Sequence, residues 1–103
     1  MERRRSRRII KRLEATFTSE GGVINRGITS NLSREGLFIR TLKGLLPNNR
    51  LELKLYLPSG EALNLHAIVR RTVKTQFQSI KNGMGIELIT PPPQYTEFVQ
   101  SIY

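Results

Sequence analysis

The sequence predicts a mainly-β fold: a small antiparallel barrel of five to six strands, preceded by a flexible basic arm and followed by a short helix. Three observations carry this. Apolar and polar residues alternate with period two through most of the chain after residue 12. The alternating runs are short and joined by brief connections, several rich in Gly, Pro or Asn, which leave no room for the crossover helices that parallel strands require. The one run with helical spacing stands at the far end. Strands joined in this way pair antiparallel, and closing them into a ring removes exposed edges.

Each element has a local reason. Leu13, Ala15 and Phe17 alternate with Arg12, Glu14 and Thr16, a half-buried strand. Glu20-Gly21-Gly22 is a turn. Val23 to Thr29 is a second, weaker strand, interrupted by Gly27. Gly36 to Thr41 is a third. Leu51, Leu53, Leu55 and Leu57 alternate with Glu52, Lys54 and Tyr56, the cleanest such run in the chain. Pro58-Ser59-Gly60-Glu61 turns it back as a hairpin into Leu63, Leu65, Ala67, Val69, Arg71 and Val73, with Arg71 where the strand leaves the core. Phe77 to Gly83 reads as a loop, and Met84 to Ile89 as the last strand. Pro91-Pro92-Pro93 stops it and opens a helix at about 93–103. There Tyr95, Phe98, Val99 and Ile102 form one apolar stripe that packs on the sheet.

Composition narrows the chemistry. At 103 residues the chain holds one core. It contains no Cys, no Asp and one His, which excludes thiol nucleophiles, disulfides, zinc–thiolate sites and Asp-dependent triads. No apolar run approaches the roughly 20 residues of a membrane span, and Ile9-Ile10 is too short for the apolar core of a signal peptide, so the expected location is cytoplasmic. The net charge is +9 and unevenly placed. Residues 1–12 form an arm with seven Lys/Arg and one Glu; residues 13–103 form the barrel with its helix and are only mildly basic. Five arginines among residues 3–8 repel one another, so the arm alone is expected to be mobile and to order on meeting an anion. The arm uses Arg over Lys six to one, which favours planar pairing with phosphate or a guanine edge.

Two short patterns complete the reading. Arg4 and Arg8 satisfy R-x-x-x-R, as do Arg3 and Arg7. Asn31-Leu32-Ser33-Arg34-Glu35-Gly36 is an N-x-S-x-x-G turn between two strands. Either alone is ordinary: basic runs are usually solvated, and Asn, Ser and Gly build turns. Together with the strand order and the late Gly83-Met84-Gly85-Ile86-Glu87-Leu88, they make the chain resemble a PilZ domain over nearly its whole length. The resemblance implies a six-stranded antiparallel barrel with a C-terminal helix, and a bacterial receptor for cyclic di-GMP. It implies Arg3, Arg4, Arg8, Asn31, Ser33 and Gly36 as ligand-binding residues. Arginine forks onto guanine O6 and N7 or onto phosphate, and stacks on bases. Residues 4 and 8 of an extended arm face one side, about 13 Å apart, whereas Arg5 and Arg7 point the other way. Asn31 is expected to address a guanine edge, Ser33 a phosphate or the turn itself, and Gly36 to serve backbone shape and close approach. The adjacent Arg3 and Arg4 favour an intercalated pair of messengers over a single one.

No cofactor, metal or catalytic set is expected, so the chain reads as a binding module, not an enzyme. His66 has no second ligand at suitable spacing, and Glu52 and Glu87 are strand-face charges. Arg70-Arg71 could extend a basic face but is read as ordinary strand charge, and Gly83 and Gly85 fit either a bulge or a close approach. Two other readings stay open. A nucleic-acid-binding barrel explains the charge but lacks interleaved aromatic residues for stacking. A protein-interaction module without ligand is the other. The resemblance also implies an effector protein partner and control of motility, biofilm or polysaccharide. It does not choose among these outputs or set an oligomeric state.

Overall fold

The computed structural model describes residues 8–76 and 82–102. Seven strands and one helix follow in order: β1 Ile9–Ile10, β2 Glu14–Ser19, β3 Ile24–Leu32, β4 Gly36–Arg40, β5 Arg50–Tyr56, β6 Ala62–Val73, β7 Gly83–Leu88 and α1 Pro93–Ser101. Every pairing is antiparallel, in the order β3-β2-β5-β6-β7-β4, and β4 returns to β3 to close a six-stranded ring. β1 is the extra strand, laid along the same flank of β3 as β2.

The strict alternation of β5 and β6 sets the wall. Leu51, Leu53 and Leu55 point inward and face Ala67, Leu65 and Leu63 across the hairpin. Phe17 continues the row Phe17–Leu53–Leu65, and Ala15 the row Ala15–Leu55–Leu63. These side chains are buried, each contributing roughly 1.5–3 kcal/mol for the larger ones. Gly60 takes a positive φ of 94° at the β5–β6 turn, which its missing Cβ permits.

Gly27 does not break β3, which runs unbroken to Leu32. A Cβ on Gly27 would stand 2.4 Å from Ile39 Cγ2, so the glycine makes room for its neighbour. Two bulges interrupt the ladders, at Ser30 between Thr29 and Asn31 and at Arg70 between Val69 and Arg71. Each adds a residue to one strand and re-aims the side chains beside it. The loop expected at Phe77 to Gly83 lies mostly outside the described residues, and Gly83 already belongs to β7.

The arm differs from expectation at its end. Ile9 and Ile10 pair with Leu32 and Asn31, so the sheet begins inside the stretch read as a free arm. The chain kinks between β1 and β2, and Thr29 closes the gap. Its buried hydroxyl accepts from Leu13 N–H at 2.8 Å and donates to Lys11 C=O at 2.7 Å. Thr29→Val keeps the shape and removes both bonds, leaving backbone groups without partners. The expected loss is about 2 kcal/mol, read as a lower urea midpoint with unchanged slope. An unchanged midpoint would show that this hydroxyl does not hold the kink.

The helix buries Tyr95 and Val99, with Phe98 and Ile102 half-covered on the same core, as the apolar stripe requires. Pro92 caps it and Pro93 occupies its first turn. No helix among the described residues is long and apolar enough to cross a membrane.

Candidate ligand-binding site

The N-x-S-x-x-G segment is half strand and half turn. Asn31 and Leu32 end β3, and Gly36 starts β4. Ser33 is buried and works within the turn. Its N–H donates to Gly36 C=O at 2.8 Å, and its hydroxyl accepts from Gly36 N–H and donates to Gly36 C=O, both at 3.3 Å. Tyr95, fully buried in α1, donates its hydroxyl to Ser33 C=O at 2.7 Å, so the helix braces the turn from inside. Gly36 is required by packing. A Cβ there would lie 2.1 Å from Ile86 C=O on β7.

Arg8 joins this corner. Its guanidinium donates to Asn31 Oδ1, joining residues 23 apart in sequence. Asn31 Nδ2 in turn reaches Ser30 Oγ at 3.4 Å. The amide oxygen expected to face a guanine edge is therefore engaged by the arm itself. Arg3 and Arg4, with Arg5 and Arg7, lie outside the described residues.

A cleft of about 270 Å³ opens beside the corner, lined by Arg8, Glu35, Gly36, Arg70, Arg71, Gly85, Ile86 and Glu87. No motif in the sequence marks Arg70 and Arg71 as ligand residues. The bulge between Val69 and Arg71 is what brings both to the rim with Arg8. Arg70 Nε pairs with Glu87 Oε1 at 2.6 Å, both side chains half-exposed, so the pair orders the rim more than it stabilises the fold. Arg71 lies across Gly85 and places its guanidinium 5.6 Å from the centre of the Phe38 ring. A Cβ on Gly85 would sit 3.3 Å from Arg71 Cγ, and one on Gly83 only 2.7 Å from the Phe38 ring. The two glycines thus seat these side chains, a pairing that neither position announces alone. His66 and Glu52 face each other across β5 and β6, both exposed and away from the cleft.

The cleft offers three arginines, one of them over an aromatic ring, beside the carboxylates of Glu35 and Glu87, and its Arg8 also holds the Asn31 amide. Guanidinium forks of this kind suit anions that carry a planar base. The sequence profile described as the PilZ domain matches residues 2–103. The chain belongs to the PilZ domain family. Solved structures agree in fold. The Bacillus subtilis inhibitor of motility (MotI/DgrA) superposes with a TM-score of 0.80 at 22% identity, over 99% of this chain and 50% of that one. The PilZ domain of CeSA from a cellulose-synthesising bacterium gives 0.62 at 26% identity, over 91% and 90%. The PilZ domain of Escherichia coli YcgR, solved with c-di-GMP, gives 0.77 at 15% identity, over 98% and 88%. This chain therefore spans half the length of the Bacillus protein. Comparison with curated proteins found no match.

Proposed function

We propose that this PilZ domain is a bacterial receptor for cyclic di-GMP, and that it acts as a binding module in the cytoplasm, not as an enzyme. The observation that carries the reading is the meeting of Arg8 with Asn31 beside the Arg70–Arg71 cleft. Two motifs far apart in sequence share one corner, and its arginines suit a phosphate or a guanine edge. Arg8, with Arg4 and Arg3 before it, forks onto phosphate or guanine O6 and N7. Asn31 reads a guanine edge once Arg8 turns to the ligand. Ser33 and Gly36 hold the corner's shape. Arg71, backed by Phe38, stacks on a base.

The adjacent Arg3 and Arg4, together with Arg8 and Arg71, favour an intercalated pair of messengers, whose four phosphates suit clustered arginine. The bound pair joins arm to barrel and changes the surface offered to an effector. Likeness to an inhibitor of motility favours motility as the controlled process.

Calorimetry with cyclic di-GMP, cyclic di-AMP and GTP side by side tests the reading. The expected result is saturable binding of cyclic di-GMP alone, at two messengers per chain. One per chain rejects the pair, and equal binding of all three rejects the receptor. Nucleic-acid binding, by contrast, falls steeply with salt and tolerates changes of sequence.

A further inference from the structure

The other end of β4 carries a second feature that the messenger reading does not use. A groove of about 440 Å³ lies over β3 and β4, lined by Arg12, Ile28, Thr29, Arg40, Thr41, Leu42 and Asn82. Its apolar part is exposed, with Ile28 48% and Leu42 68% accessible. Leu42 is held in that position. Thr41 on one side donates its hydroxyl to Arg26 C=O at 3.0 Å and its N–H to Asn82 C=O at 3.1 Å. Lys43 on the other donates its N–H to Thr41 Oγ1 at 3.1 Å. A leucine pinned outward by its neighbours' bonds is preorganised for contact.

Both charged residues that line it are arginines. Arg40 stands directly opposite Ile28 in the ladder, and Arg12 forms another part of the wall. Neither arginine has an ion pair among the described residues. Glu14, opposite Ile28 on β2, does not line the groove and pairs with neither. Both β3 and β4 are paired on their two sides, so no backbone edge is offered here and recognition falls to side chains.

We propose that this groove docks an acidic, leucine-bearing segment of a partner protein. An apolar side chain sits between Ile28 and Leu42, and carboxylates flank it on Arg12 and Arg40. An aliphatic floor gives bases nothing to stack on, which disfavours nucleic acid. Two arginines fall short of the four to eight basic residues that mark an anionic membrane surface. The inference does not rest on the messenger assignment.

The test is an amide NMR titration of the whole chain with a decapeptide of alternating Glu and Leu. Parallel titrations use its Lys-for-Glu counterpart, phosphatidylglycerol vesicles and a single-stranded oligonucleotide. The expected result is saturable binding of the acidic peptide alone, with shifts centred on Ile28, Thr41, Leu42 and Asn82. Leu42→Gln and Arg40→Glu, both at exposed positions, should each weaken it at least tenfold while cyclic di-GMP calorimetry stays unchanged for Leu42→Gln. Three results overturn the proposal: shifts centred elsewhere, equal binding of the basic peptide, or occupation of these residues by vesicles or oligonucleotide but not by the peptide. Peptide binding with no messenger binding leaves the groove standing and rejects the receptor reading; the reverse rejects the groove alone.

Discussion

Replacing Arg8 with alanine is expected to weaken cyclic di-GMP binding about 100-fold while the domain stays folded. A bidentate arginine pair with a guanine or phosphate is worth up to about 3 kcal/mol, and each 1.4 kcal/mol is tenfold. The stability change should stay within about 0.5 kcal/mol, because the side chain is exposed and its bond to Asn31 lies at the surface. Arg8→Lys should recover little, since an ammonium keeps the charge and loses the fork. Calorimetry and thermal unfolding on the same samples separate the two quantities. A variant that bound like the parent would place the messenger somewhere other than the Asn31 corner.

Gly36→Ala has the opposite profile, a loss of fold before any loss of contact. The new methyl would stand 2.1 Å from Ile86 C=O, and that oxygen belongs to the β7 backbone paired to β4. No rotamer relieves the clash, so the β4–β7 ladder must part. Overpacking of this kind costs about 3 kcal/mol, a large share of the 5–15 kcal/mol that holds a domain of this size. Urea unfolding should show a midpoint lowered in proportion. The same strand separation moves Ser33, whose hydroxyl and N–H are both tied to Gly36. A stable variant with intact messenger binding would show that the turn tolerates the methyl, and would remove the packing account of this glycine.

The parts of this molecule that follow a period were legible before the structure. β5 and β6 alternate so regularly that one residue of slip would expose every leucine, and their hairpin and register follow. The helix was legible for the same reason, since Tyr95 and Val99 keep helical spacing on an apolar face. β1 was not, because two isoleucines among arginines carry no period; their place depends on Leu32 and Asn31, far along the chain. Gly27 looked like an interruption when it is a fit to Ile39.

The site divides similarly. The Asn31–Gly36 segment was readable as a turn, because turn chemistry is local, while its ligand roles rest on the motif resemblance. The placement of Arg71 was not, because it depends on a bulge, a glycine on the next strand and an aromatic ring on the strand beyond. Such a row across three strands has no signature in any single segment. Nor does the role of Tyr95, whose hydroxyl reaches a carbonyl 62 residues away.

The stretch from Arg8 to Arg12, latched by Thr29, touches two openings at once: the cleft by its first residue and the groove by its last. Should each opening take the ligand proposed for it, any effect of one ligand on the affinity of the other must be reciprocal.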